Sequence, residues 1–381
     1  MGWLCFGSQQ DRKSAETPLP PPKAWSPTSP AQPSTDSAQE PRLPLAPLTP
    51  VNRSNGAISP PAPDQDPWET GPTQFVSKKY KRLKKIGTGG FGNVYLAEHR
   101  DTHEQVAIKF MDRGGDIRLI RREIVNHSNL CHPQVIQFKE VFLTPGSVGL
   151  VMEYAPGGDL FDYIQQHGNL HEDQARWIFQ QLTVGVDFCH KKSIVNRDLK
   201  PENTLVVSRR NQKPLVKICD FGYSKNKEIQ SMLVSKVGTP GYIAPEVLEG
   251  GRAHGPPADL WSLGCILYVL LYGRYPFLVD ADLEDQSGSF SQTVKKIMSA
   301  HYEIPEDIYV SPEVIHLMRS LLIVNPEQRM TVEQMWSDPW FRKNLPKDAR
   351  LLNDKMMKRR DAYQTPQQID AILTQAQRRE T

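Results

Sequence analysis

The strings NRDLKPEN at 196–203 and DFG at 220–222 constrain this chain more than any bulk property. They do not stand alone. GTGGFG at 87–92 and VAIK at 106–109 precede them, Glu123 follows Lys109 by fourteen residues, and APE closes the series at 244–246. A polar turn followed by a capped helix accounts for any one of these residues. It does not account for the whole ordered set within 160 residues.

Each part suits phosphate chemistry. Gly87, Thr88, Gly89, Gly90, Phe91 and Gly92 lie between two apolar, β-branched runs. Glycine lets backbone amides approach phosphates with no Cβ in the way. In a dinucleotide-binding fold such a motif opens a helix, but here Val94 begins another strand, so it reads as a hairpin over phosphates. Phe91 at the tip is either a cap on the phosphates or a turn residue. Lys109 is a cation for the α- and β-phosphates, with Glu123 to hold it. Asp198 is the candidate base for a hydroxyl proton, and Lys200 neutralises the transferred group. Asn203 and Asp220 offer oxygens to magnesium, which implies ATP and Mg2+ as the cofactors.

Composition narrows the context. The 381 residues suffice for one large two-lobed domain plus tails. With 46 basic and 43 acidic residues the net charge is +3, which gives no field that would select nucleic acid as a partner. No apolar run reaches the ~18 residues of a membrane span. Five scattered cysteines, with no CxxC, fit reduced thiols in the cytoplasm or nucleus. Residues 1–75 hold 16 of the 32 prolines and few large apolar side chains, so they are expected to be disordered. Within them, Pro18–Pro22 could dock a proline-reading domain. MGWLCFGS at the start offers Gly2 and Cys5 for acylation, the condition for membrane association, although Phe6 departs from that motif.

Order is expected from Tyr80. Three strands are predicted over Tyr80–Lys109, two more over Val135–Phe142 and Val148–Glu153, and a short helix carrying Glu123. From Asp159 the helical period takes over: Ala175, Ile178, Phe179 and Leu182 fall at i, i+3, i+4 and i+7. Leu260–Tyr272 is apolar nearly all round, as in a helix buried at the centre of a lobe. In the tail, Thr365, Pro366 and Gln368 spell a capping box, and Ile369, Ile372, Leu373 and Ala376 line one face. The fold class is α+β: a small β-rich lobe, a large helical lobe and a cleft between them.

These motifs together resemble protein kinases, and Lys-Pro-Glu-Asn resembles those acting on Ser and Thr. KEVFLTP at 139–145, VMEYAPGGDLFDYI at 151–164, KICDFGYSK at 217–225 and VGTPGYIAPEV at 237–247 are similar to the plant sucrose-non-fermenting-related kinases of subclass two. That resemblance implies a bilobal kinase domain at 80–341, with the small lobe at about 80–155 and the large lobe at about 156–341. It implies transfer of the γ-phosphoryl of ATP to Ser or Thr hydroxyls on proteins, in stress or nutrient signalling. Val94, Ala107, Glu153 and Ala155 would line the nucleotide site. Arg197 implies control by activation-loop phosphorylation at Ser235 or Ser231, with Thr239 holding Asp198 and Lys200. An upstream kinase and a protein phosphatase are the implied partners. The tail at 342–381 would carry a regulatory helix at about 366–377, packed beside the Glu123 helix. Glu246 would pair with Arg329, and Asp259 would brace the catalytic loop. Asp159, assisted by Glu202, would receive a basic residue three before the target hydroxyl.

The chain departs from this pattern. No acidic block follows the tail helix, and the long Pro-rich segment is atypical. Asn196 stands where the family has a His that packs under Phe221, which implies a weaker active alignment. Asn196 also leaves a second reading: a scaffold that binds partners through its kinase fold and Pro-rich tail without transferring phosphate.

Overall fold

A computed structural model of the chain describes residues 78–89, 92–207, 213–221, 241–250, 255–278, 286–359 and 364–377. The expectations for residues 1–75 (with Gly2 and Cys5), Gly90, Phe91, Ser231, Ser235 and Thr239 lie outside the described residues.

The small lobe is a five-stranded antiparallel sheet in the order β1-β2-β3-β5-β4. Its strands are β1 (Tyr80–Gly89), β2 (Gly92–His99), β3 (Gln105–Asp112), β4 (Phe138–Leu143) and β5 (Ser147–Glu153). Period-two alternation sends two sets of side chains to opposite faces. Tyr95, Ile108, Phe110 and Val151 cluster on one side. Met111, Val148 and Leu150 meet Ile120 and Ile124 of α1 (Ile117–Ser128) on the other.

Helix α1 begins at Asp116, whose carboxylate accepts the Arg118 amide at 3.0 Å. Its buried residues Ile120, Glu123, Ile124 and His127 follow i, i+3, i+4 and i+7. A carboxylate on the inner face of a helix needs a partner, and β3 supplies one.

The expected strand at Val135–Phe142 starts later, at Phe138. Val135 and Ile136 are apolar and β-branched, but they bond to Ile218 of the large lobe, with Ile136 N donating to Ile218 O at 2.9 Å. Their alternation serves a junction between the lobes.

The large lobe is helical. Helices α2 (Leu160–His167), α3 (Glu172–Lys191) and α4 (Pro256–Tyr272) surround an apolar core with α5 (Pro312–Leu321) and α6 (Ala349–Met357). Helix α4 is buried along nearly its whole length and stops at Gly273, whose φ of 64° favours glycine. A two-stranded ribbon of β6 (Thr204–Val206) and β7 (Val216–Ile218) lies at the cleft side; β6 directly follows Asn203, and β7 ends two residues before Asp220. No helix among the described residues is long and apolar enough to cross a membrane.

The tail returns to the small lobe as α7 (Pro366–Gln377). Thr365 and Gln368 cap it reciprocally, at 2.8 and 3.2 Å. Ile369, Leu373 and Ala376 join the cluster that holds Ile120 and Ile124. The Gln364 amide pairs with both the N–H and the C=O of Val141, at 2.8 and 2.9 Å, and Arg121 pairs with Asp370.

Candidate functional site

Register places the cleft-facing residues. Val94 pairs with Lys109 and Lys109 with Leu150, while Leu96 pairs with Ala107 and Ala107 with Met152. Cross-strand partners share a face, so Val94, Ala107 and Lys109 form one surface. Met152, half-buried beside Ala107, belongs to the same surface and was missed from sequence. Its signal lay in the alternation of β5, which is usable only once the register is known. Gly87 and Thr88 end β1 opposite Val94 and Asn93, and Gly89 pairs with Gly92. Gly92 has an internal requirement: at its φ of 132° a Cβ would stand 1.8 Å from Phe110 O.

Lys109 Nζ lies 2.7 Å from Glu123 and 3.6 Å from Asp220. Burial disfavours the ammonium, yet the Asp220 and Glu123 carboxylates outweigh it and hold the Lys109 pKa above the ordinary lysine range. Burial pushes the Glu123 carboxyl up, and the Lys109 ammonium pulls it back. One cation thus ties α1 to the strand that delivers Asp220.

On the opposite wall, Asp198 gathers two partners. Lys200 Nζ stands 3.2 Å from its carboxylate and Asn203 Nδ2 donates to it at 2.7 Å. Burial opposes the charge of Lys200, but Asp198 and Glu202 raise its pKa. Asn203 O accepts the Cys219 amide at 2.9 Å, which places the Asn203 backbone beside the residue preceding Asp220. Glu153 closes β5 with its carboxylate 2.6 Å from Lys217, and Ala155 follows it, buried between the lobes.

Asn196 does more than its small volume suggests. Buried under the loop, its Nδ2 donates to Asp220 O at 3.0 Å and its Oδ1 accepts the Asp198 amide at 3.0 Å. The amide therefore bridges the two motif strings directly. Phe221 meets the ring of His127 from α1, with centroids 5.4 Å apart. Arg197 and Asp220 both adopt φ of 64°, a conformation that costs non-glycine residues on the order of 1–3 kcal/mol. Asp259 holds the first of them by accepting the Asn196 and Arg197 amides at 2.9 and 2.8 Å, and His190 bonds to the same carboxylate at 2.8 Å.

Arg329 and Asp159 hold their own elements in place. Arg329 makes a bidentate pair with Glu246 at 2.8 and 2.9 Å. Asp159 caps α2 by accepting the Asp162 amide at 2.8 Å. Glu202 is mostly buried; burial raises its pKa, and its Oε2 finds no hydrogen-bond partner among the described residues.

The donor set fits a nucleotide triphosphate with magnesium. Mg2+ takes hard oxygens, typically one or two carboxylates with phosphate and water completing the shell. Asp220 and Asn203 match that demand. No cluster of three or more His, Cys, Asp or Glu side chains that would cage a metal without substrate occurs among the described residues.

Comparison with known proteins gives the same picture. The protein kinase domain family matches residues 80–341. Serine/threonine-protein kinase SRK2A of Physcomitrium patens is 44% identical over 303 residues, covering 79% of this chain and 85% of that protein. Serine/threonine-protein kinase SRK2G of Arabidopsis thaliana is 45% identical over 296 residues, 77% and 82% of the two chains. Serine/threonine-protein kinase SAPK5 of Oryza sativa subsp. japonica is 47% identical over 274 residues, 72% of each. The chain belongs to the protein kinase family and, within it, to the sucrose-non-fermenting-related kinases of subclass two.

Proposed function

We propose that this protein is a Ser/Thr kinase that transfers the γ-phosphoryl of ATP to protein hydroxyls in stress or nutrient signalling. The convergence of Lys109, Glu123, Asp198, Lys200, Asn203 and Asp220 on one cleft carries the reading. Lys109, oriented by Glu123, holds the α- and β-phosphates. Asp198 orients the substrate hydroxyl and accepts its proton, and Lys200 offsets charge on the phosphoryl oxygens. Asn203 and Asp220 hold Mg2+, which when bound neutralises charge on the phosphates. Gly87, Thr88, Gly89, Gly90, Phe91 and Gly92 cover the phosphates, while Val94, Ala107, Glu153 and Ala155 enclose the base.

Two features bear on regulation and choice of substrate. Ser235, and secondarily Ser231, are the proposed switch sites, set by an upstream kinase and reversed by a phosphatase, with Arg197 receiving the phosphate. Asp159 and Glu202 form the proposed acidic subsite for an Arg or Lys at minus three, and the unpartnered Glu202 oxygen supports an unmet need for a cation. The test is a Ser-peptide array with Mg-ATP. Arg at minus three should raise kcat/KM at least about tenfold over Ala, the worth of one charge-assisted pair. A flat response at that position removes the subsite.

The tail helix is proposed to favour the working position of α1. Deleting residues 362–381 exposes Ile120 and Ile124 and removes the Arg121–Asp370 pair. Activity should then fall severalfold with the large lobe still folded; unchanged turnover would reject the role.

A further inference from the structure

Helix α6 lies beyond the residues matched by the kinase domain, yet its centre is among the most buried positions in the molecule. Asn353 is fully buried. Its Nδ2 donates to Val184 O at 3.1 Å and to the Asp187 carboxylate at 2.7 Å, both on α3. Both partners are acceptors only, so the nitrogen must face them and Oδ1 must face the other way. There it meets His132 Nε2 at 2.9 Å. His132 must therefore donate from Nε2, while its Nδ1 accepts the Gln134 amide at 3.1 Å. Burial agrees with this neutral tautomer, pushing the His132 pKa down to about 3. The ring also stacks on Phe188 of α3, with centroids 4.6 Å apart.

From His132 the bonds run into the catalytic cleft. Gln134 O accepts the Ile218 amide at 2.8 Å, and Ile136 N donates to Ile218 O at 2.9 Å. Ile218 ends β7, two residues before Asp220. Ile136 O accepts His127 Nε2 at 2.6 Å. His127 lies one helical turn from Glu123 on the same face of α1. Residues 132–136 thus carry both the strand that delivers Asp220 and the helix that delivers Glu123. Asn353 fastens one end of that segment to α3.

We propose that Asn353 is a positioning residue of the phosphoryl-transfer site: through His132 it fixes residues 132–136 on α3, and so sets Glu123 and Asp220 about Lys109. The inference rests on the kinase reading above. A helix that needed only to pack would do better with Leu at this position, since Ala349, Leu352 and Met356 already bury its apolar side. A satisfied buried amide instead imposes direction, and its loss strands several polar groups at once. The tail would then act on α1 twice: α7 presses on its outer face, and α6 holds the segment that follows its C-terminus.

The full chain should be compared with Asn353→Leu, His132→Phe and the double variant. Asn353→Leu keeps the volume and removes the bonds; His132→Phe keeps the stacking on Phe188 and removes the link. Each single change should lower kcat about tenfold, within the range for mutations along a coupled network, and leave KM for the peptide unchanged. Backbone amide exchange over 132–136 and 216–221 should quicken in both. The double variant should be no worse than the worse single, because both cut one connection. Loss of thermal stability with normal kcat at a temperature where the variants are folded would make Asn353 structural only and overturn the proposal. Additive losses would overturn the route through His132. If Asn353→Leu does not fold, His132→Phe alone decides by the same kcat and exchange readings. A wild type inactive on any Ser or Thr peptide would defeat the kinase reading instead, while the exchange pattern would still report whether Asn353 orders the segment.

Discussion

Replacing Asp198 with Ala is expected to lower kcat by about 10²–10⁴-fold, the usual contribution of a positioned general base. The structure suggests why the loss should fall on the chemical step. Asp198 is the point where Lys200 and Asn203 meet, at 3.2 and 2.7 Å. Removing its carboxylate deletes the proton acceptor and the partner of Lys200, while Asn203 keeps its bond to the Asp198 carbonyl at 3.0 Å. It leaves the Lys109–Glu123 pair untouched across the cleft. Nucleotide affinity, read by a fluorescent ATP analogue, should therefore stay within a few-fold of wild type. A variant that binds nucleotide normally and retains full turnover would remove Asp198 from the mechanism and revive the scaffold reading. Asn196→His is the companion variant. Asn196 bridges the two motif strings through its bonds to Asp198 and Asp220, and turnover of that variant against wild type reads what the departure from His costs.

The second large effect is on stability. Arg329→Met is expected to destabilise the large lobe by about 3–5 kcal/mol, because it leaves the Glu246 carboxylate without its partner. The guanidinium is fully buried; it also donates to Ile323 O and Pro257 O, and lies over the Trp261 ring with its carbon 5.2 Å from the centroid. A calorimetric scan should show Tm falling by on the order of 10 °C. The double change Glu246→Gln with Arg329→Met should recover part of that, since neither charge is then stranded. A Tm unchanged within about 1 °C in the single variant would mean that the pair is solvated and contributes little.

Much of this architecture was legible because the cues were local. Capping at Thr365 and Gln368, the apolar face of α7 and the apolar girth of α4 all follow from spacing within a few residues. The candidate site was legible for another reason: the residue types at 109, 198, 203 and 220 suit phosphate and magnesium, and the fold brings them to one cleft. What escaped depended on distant pairing. Val135 and Ile136 read as strand, but their partner Ile218 lies in the other lobe. Met152 needed the register with Ala107. The bond between His132 and Asn353 spans 221 residues, and no periodicity in either segment announces it.

Ile369, Leu373 and Ala376 complete the apolar cluster of a lobe whose other members come from residues 111–150. Synthesis runs from the N-terminus, so the strands of the small lobe and the whole large lobe emerge before the residues that seal this cluster. A chain stalled before residue 364 carries Ile120 and Ile124 uncovered, a sticky surface that invites chaperones and proteases. Contacts so remote in sequence also form slowly, since closing a long loop precedes the gain. Competence would thus wait for a helix made after both lobes, and an incomplete copy would be marked by the apolar face it still displays.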